Sequence, residues 1–345
     1  MPDSQTGNNQ MGNSQPGSSA GTQPSPDGVT AAGIGPWGFT ITGIGAALPD
    51  KVLTNQDLTA WMDTTDEWIR ERTGISERRI GGSTSGLATE AARIALAEAS
   101  VDAADIDQVI LATTSPDYIC PGTAPAVANE LGLQCGAFDV QAACSGWVYG
   151  LIVANGLMLQ GMDRILVIGA ESLDRITDYH DRGTGILFGN GAGAAVVERT
   201  GTGGGELLSW DLGSAGNFVH ILYAEHGDVL KMDGKEVFRQ AVTVIQHSAN
   251  TSLERAGLTV DDIDLVIPHQ ANVRIVESAW RKLGFSMDKT AMVLERTGNT
   301  SAASIPLALK DAELNGRVNP GDTVMFIGFG AGMTWASAIV RWAER

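Results

Sequence analysis

The chain has 345 residues, 43% of them hydrophobic and 18% charged, enough for one large globular unit or two of medium size. Its 40 acidic against 23 basic residues give a net charge of −17, which repels a phosphate backbone and excludes nucleic acid as an expected partner. Three cysteines without a C-x-x-C pair supply neither a disulfide framework nor a zinc site, so a metal-free protein of the reducing cytoplasm is expected.

Residues 1–36 are rich in Ser, Gly, Gln, Asn and Pro, contain no Lys or Arg, and read as a disordered tail rather than a secretory signal. No apolar run reaches the roughly 18 residues of a membrane span. Gly33-Ile34-Gly35-Pro36-Trp37-Gly38 has G-x-G-x-x-G spacing, but it precedes a strand and contains a proline, which argues against a dinucleotide site.

The folded body opens with a β-branched strand at Phe39–Gly45. Capping residues at Thr54–Asp57 predict a helix over Leu58–Trp68, and helical periodicity predicts another over Leu87–Ser100. Ala103–Leu111 is then echoed by Val260–Pro268, with Asp105 and Asp262 standing 157 residues apart. Gly161–Gly169 is echoed by Gly321–Gly328, with Asp163 and Asp322 standing 159 apart. Two echoes at nearly one spacing predict two similar halves, residues 37–205 and 206–345. Each half alternates strands with helices, which predicts an α/β fold with ligands gathered at the carboxyl ends of strands.

Three such ends carry chemistry. The extended run Gly136–Val140 stops at Gln141-Ala142-Ala143-Cys144-Ser145-Gly146, and a helix-like run opens at Trp147. A thiol at that junction meets unpaired N–H groups and a positive helix end, which favour the thiolate and predict a nucleophile. His269 follows the second-half strand within Pro268-His269-Gln270-Ala271-Asn272. Asn299, in Gly298-Asn299-Thr300-Ser301, reads on its own as a turn residue capping a helix. Gly328-Phe329-Gly330-Ala331-Gly332 ends the last apolar strand, while Gly189–Gly193 reads as a close-packed turn before a strand at Ala194–Val197.

With these positions joined by Thr65-Asp66-Glu67-Trp68-Ile69-Arg70-Glu71-Arg72-Thr73-Gly74-Ile75 and Phe188-Gly189-Asn190-Gly191-Ala192-Gly193-Ala194, the chain from Phe39 to Arg341 resembles the β-ketoacyl-acyl-carrier-protein synthase III family of thiolase-like condensing enzymes. The resemblance implies a duplicated five-layer α-β-α-β-α fold, a homodimer and no cofactor. It implies that Cys144 takes an acyl group from acyl-CoA as a thioester, with backbone N–H groups of Cys144 and Ala331 forming the oxyanion hole. His269 and Asn299 would then donate hydrogen bonds to the carbonyl of malonyl-acyl-carrier protein as carbon dioxide leaves. Contacts to CoA are implied for Thr64, Trp68, Arg72, Arg182, Gly234, Asn272 and Arg274. Arg239, Arg274, Arg281 and Lys282 would form a basic patch that reverses the acidic surface locally for an acidic carrier protein. Cys120 and Phe329 would belong to the acyl pocket. Some relatives carry phenylalanine where Cys120 stands, so the smaller side chain predicts primers longer or more branched than acetyl.

Two other readings keep the same residues. One is an acyltransferase of specialised metabolism that uses the Cys144 thioester without decarboxylation. The other is a silent scaffold that binds carrier protein. Asn299 favours carbon–carbon bond formation, since a carboxylate there would repel an enolate and help a histidine act as base.

Overall fold

The computed structural model describes residues 38–201 and 204–344; the expected tail at 1–36 and most of the Gly33–Gly38 run lie outside them. Nine strands build two sheets: β1 (Gly38–Ala47), β2 (Gln108–Ala112), β3 (Gly136–Val140), β4 (Arg164–Glu171), β5 (Gly191–Thr200), β6 (Glu206–Ser214), β7 (Leu265–Pro268), β8 (Thr323–Gly330) and β9 (Thr334–Arg341). Seven helices matter here: α1 (Asp66–Thr73), α2 (Thr84–Ala99), α3 (Thr123–Leu131), α4 (Gly146–Leu159), α5 (Gly234–Ala256), α6 (Val273–Leu283) and α7 (Ser304–Leu314).

The first sheet runs β1-β5-β4-β2-β3 and the second β7-β8-β9-β6. The echoed segments occupy matching places, because β2 pairs parallel with β4 and β7 pairs parallel with β8. Both β4 and β8 continue antiparallel into the next strand.

Helix α4 reads Gly-Trp-Val-Tyr-Gly-Leu-Ile-Val-Ala-Asn-Gly-Leu-Met-Leu, apolar on every side. Such a helix has no solvent face, and it lies with α7 between the sheets in a core that includes Trp147, Leu151, Ile305, Leu309 and Phe326. Helices α2 and α3 cover the outer face of the first sheet, and α5 and α6 the outer face of the second. Five layers result, α-β-α-β-α, as the resemblance implied.

Two local expectations need correction. The single helix expected over Leu58–Trp68 is instead a short turn of helix at Asn55–Leu58 and a separate α1. Thr54 and Asp57 form a capping box around the first, and Thr65 caps the second by accepting the Trp68 N–H, so the polar stretch between them breaks the run. The glycines Gly191–Gly193 lie inside β5, where a Cβ on Gly193 would stand 2.6 Å from Pro306 Cβ. Bare backbone there lets α7 press onto the sheet.

Candidate active site

The cysteine sits where the sequence places it, on a tight turn (Ala143–Ser145) between β3 and α4. Ala143 holds φ at +47°, a left-handed conformation disfavoured by its Cβ. The second half has the same device: Ser301 holds φ at +46°, begins the turn Ser301–Ala303, and leads into α7. The two strained turns pack together, and a Cβ on Gly146 would lie 3.8 Å from Ala302 Cβ.

Strand β8 closes this pair from one side. A Cβ on Gly330 would lie 2.6 Å from the Cys144 backbone nitrogen, so only glycine lets the strand come this near. Thr334 then laces the loops together: its Oγ1 donates to Ala142 C=O at 2.9 Å and lies 3.0 Å from Ser145 Oγ. Ala331 follows Gly330 at the start of the turn Ala331–Met333, which puts the backbones of Cys144 and Ala331 in neighbouring loops.

His269 and Asn299 reach the same place through Ser301. The Asn299 Oδ1 accepts the Ser301 N–H at 2.8 Å, which turns the amide NH2 the other way. Its backbone is clamped on both sides, donating to Leu187 C=O (2.8 Å) and accepting from Gly189 N–H (3.0 Å). The His269 Nδ1 lies 2.7 Å from Ser304 Oγ, which is itself 2.8 Å from the Ser301 carbonyl oxygen. Phe329 packs edge-on against the imidazole at 5.3 Å between centroids and is buried with it. Cys144, His269 and Asn299 are therefore all buried, with Asn299 bonded to Ser301 directly, His269 linked to it through Ser304, and the Cys144 turn packed against the turn that Ser301 begins.

Electrostatics depart from the expectation. Burial pushes the Cys144 thiol up to about 12, with the nearby Glu171 carboxylate adding to the rise and the Ser301 hydroxyl opposing it. Desolvation thus opposes the helix terminus and favours the thiol. Burial likewise pulls His269 down to about 3, so its imidazole is neutral. Alkylation of Cys144 by iodoacetamide, followed by peptide mass spectrometry, should accelerate by about tenfold per pH unit through pH 10. A rate that levels off below pH 9 would mean that the helix terminus prevails over burial.

Glu171 was not singled out in the sequence. It is fully buried at the end of β4 and makes no ion pair among the described residues. Six groups donate to it: the hydroxyls of Thr113, Thr114 and Ser115, the N–H groups of Thr114 and Ser115, and the Ala302 N–H of the second turn. Burial raises its pKa while these donors work against the rise.

The residues assigned to CoA lie farther out. Trp68 is half-buried on α1 with guanidinium groups against its ring, Arg182 at 3.7 Å and Arg72 at 4.5 Å. Arg182 thus lies directly over the indole ring, close enough for a cation–π contact. Asp181 shapes its loop by accepting the Gly183 N–H (2.8 Å) and the Thr184 hydroxyl (2.7 Å). Asn272 is committed to structure: it caps α6 by accepting the Arg274 N–H and donates to Arg72 C=O at 3.0 Å. Thr64 is buried with an unpartnered hydroxyl, and Gly234 opens α5 beside Tyr223, Lys231 and Met232.

Of the basic residues, Arg274, Arg281 and Lys282 are exposed on α6 and make no ion pair among the described residues. Arg239 is paired with Glu236 through two hydrogen bonds, which removes its charge from the patch. Cys120 is exposed in a loop with Tyr118 and Ile119, whereas Cys144 is buried.

A duplicated five-layer fold with a buried cysteine on a strained strand-to-helix turn defines a thiolase-like, acyl-transferring enzyme. A family model described as 3-oxoacyl-[acyl-carrier-protein] synthase III matches residues 138–216, and one for the C-terminal part of that family matches 253–342. The β-ketoacyl-[acyl-carrier-protein] synthase III of Dinoroseobacter shibae is 47% identical over 318 residues, 88% of this chain and 98% of that protein. The enzyme of the same name from Caldanaerobacter subterraneus is 46% identical, with 88% of this chain and 98% of that protein covered. The crystal structure of 3-oxoacyl-[acyl-carrier-protein] synthase III from Aquifex aeolicus superposes with a TM-score of 0.86 at 41% identity, covering 88% of this chain and all of that one. The chain belongs to the 3-oxoacyl-[acyl-carrier-protein] synthase III family.

Proposed function

We propose that the protein condenses an acyl-CoA primer with malonyl-acyl-carrier protein, releasing carbon dioxide and forming a β-ketoacyl-acyl-carrier protein. The observation that carries this reading is the meeting of the buried Cys144 turn, Asn299 and His269 around Ser301 and Ser304, with an amide in place of a carboxylate at position 299. In the first half-reaction the Cys144 sulfur attacks the acyl thioester, and the N–H groups of Cys144 and Ala331 receive the oxyanion. Its collapse breaks the carbon–sulfur bond to CoA, which leaves as the free thiol with the proton that Cys144 gives up. In the second half-reaction, loss of carbon dioxide leaves an enolate whose oxygen is held by the Asn299 amide and the His269 imidazole. Its carbon attacks the acyl-Cys144 thioester, the carbon–sulfur bond breaks, and Cys144 leaves and regains a proton from solvent as the thiol. Neutral donors suit this step, because neither brings a negative charge to the enolate.

Incubation with a series of acyl-CoA primers and malonyl-acyl-carrier protein tests the proposal. Carbon dioxide release with a β-ketoacyl product supports it. Acylated Cys144 without condensation would replace it with the non-decarboxylating transferase, and no acylation at all would leave only a scaffold.

The CoA contacts follow from stacking. Trp68 and Arg182 would take the adenine between them, Arg182 lifting from the ring as it enters. Thr64, Arg72, Gly234, Asn272 and Arg274 would line the rest of the path. Trp68→Ala should raise KM for acyl-CoA roughly tenfold with little change in the acylation kcat, since stacking on an aromatic ring contributes about 1–3 kcal/mol. An unchanged KM would remove Trp68 from the site. Carrier protein would dock on Arg274, Arg281 and Lys282, with Arg239 contributing only if Glu236 releases it.

The edge of the first sheet supports a homodimer. Strand β3 has a partner on one side only, and Tyr118, Ile119 and Phe138 are exposed beside it, Ile119 to 83%. An unpaired edge with apolar neighbours is a template for a second copy. Pairing there would bring Cys120 against the partner's acyl tunnel and give its small side chain a role in primer length. Light scattering should report twice the chain mass, and Phe138→Lys should shift it toward the single chain. A monomeric native protein would overturn the dimer. The two sequence halves, 37–205 and 206–345, are proposed as the units of the duplication, each supplying one of the strained turns.

A further inference from the structure

Arg78, which no step above uses, is a guanidinium shut inside the protein. It lies on the short strand Glu77–Arg79, is fully buried, and makes no ion pair among the described residues. Burial pulls its pKa down to about 10, so it remains a cation at neutral pH. Its hydrogen bonds go to neutral acceptors. Nη1 donates to Asn55 Oδ1 at 2.9 Å and to Leu53 C=O at 3.2 Å, and Nη2 donates to Ile186 C=O at 2.7 Å. Ile186 precedes Leu187, whose C=O accepts the Asn299 N–H at 2.8 Å, and the Gly189 N–H returns to Asn299 C=O at 3.0 Å. The stem of Arg78 packs against this bridge. A Cβ on Gly298 would stand 2.9 Å from Arg78 Cβ, and one on Gly189 would stand 3.0 Å from it, so bare backbone lies against the stem at both places.

We propose that Arg78 is a positioning residue for the condensation step, fixing the Ile186–Gly189 segment on which the Asn299 backbone is mounted. The proposal rests on the condensing reaction argued above. A planar fork of N–H groups reaches acceptors on separate segments at once, and a lysine ammonium in the same place cannot hold that geometry. The Asn299 side chain is short, and its Oδ1 is tied to the Ser301 N–H at 2.8 Å. Where the bridge stands therefore sets where the amide NH2 meets the enolate oxygen. Acylation does not pass through the bridge, because the Cys144 sulfur stands on the turn after β3 and Ala331 on the turn after β8. Loss of Arg78 should thus separate the half-reactions, whereas a general loosening of the fold would slow both.

Arg78→Lys, with the half-reactions followed separately at saturating acyl-CoA, tests the proposal. Condensation kcat should fall roughly 10–10²-fold, the cost of a small misplacement, while acylation of Cys144 stays within about twofold. Equal loss in both steps, or none in either, would overturn it. Because Arg78 acts through Asn299, the same substitution in an Asn299→Ala background should cost condensation less than about twofold more. A full further loss there would show an effect that bypasses Asn299 and would overturn the assignment. Hydrogen exchange keeps the test open if the variant does not fold. In the native enzyme the Asn299 and Gly189 amides should exchange at least about 10³-fold more slowly than in free peptide, and faster exchange would remove the rigid bridge that the proposal requires. In folded Arg78→Lys the same amides should exchange at least about tenfold faster, with those of α4 unchanged; an unaltered rate would show that Arg78 does not hold the bridge. A native enzyme that does not condense, with that exchange difference intact, would remove the functional reading and leave the hold of Arg78 on the bridge established.

Discussion

Asn299→Asp should lower condensation by roughly 10²–10³-fold while acyl transfer onto Cys144 stays within about twofold. The substitution is nearly isosteric, and one carboxylate oxygen can still accept the Ser301 N–H that now bonds to Oδ1 at 2.8 Å. The other oxygen then stands where the amide NH2 stood, and a donor has become a negative charge facing an enolate. Acylation does not pass through that position and should survive. Mass spectrometry of the acyl-enzyme and trapping of carbon dioxide separate the two half-reactions. Equal loss in both would mean that Asn299 holds the site together instead of stabilising the second step.

The second large effect is expected at Glu171, through folding stability. Thr114, Ser115 and Ala302 present fixed backbone N–H groups to both of its oxygens. In Glu171→Gln one oxygen becomes an NH2. If it replaces Oε2, it confronts the Ser115 N–H; if it replaces Oε1, it confronts the Ala302 N–H. Hydroxyls can rotate to adapt, but backbone N–H groups cannot. A buried donor left without an acceptor costs about 1–3 kcal/mol, and bonds to a charged acceptor are stronger, so a loss of about 2–4 kcal/mol is expected in urea unfolding. The carboxylate also raises the Cys144 pKa, so alkylation of the folded variant should be faster than that of the native enzyme. A variant as stable as the native protein would show that the six donors find other acceptors.

Much of this site is legible in the sequence because its outer logic is local. A β-run ending at Val140, small residues, Cys144 and an all-apolar helix dictate a strand-to-helix turn, and the structure has it with β3 ending at Val140. His269 can be found in the same way at the end of β7. What could not be read is the connection among them. Ser301, Ser304 and Glu171 are residue types that usually face water, and only the tertiary fold brings their segments against the thiol. The expected thiolate failed for a related reason. A helix terminus can be seen in the sequence, whereas burial is a property of everything packed around the sulfur, and burial raises the thiol. The helix expected over Leu58–Trp68 failed because Thr65 competes as a cap, a local signal that apolar periodicity overlooks.

The twin left-handed residues bear on how labour is divided. After Ala143 comes a sulfur; after Ser301, one step into the matching turn, comes the methyl group of Ala302. A scaffold doubled in this way could have carried two tethers, each loading its own acyl chain and each competing for the same incoming carbanion. With alanine at the second place only one chain can be held at a time, and the spare turn is free to orient polar groups toward it. A single covalent anchor met by a purely non-covalent cradle means that each visit by an extender unit has one possible destination.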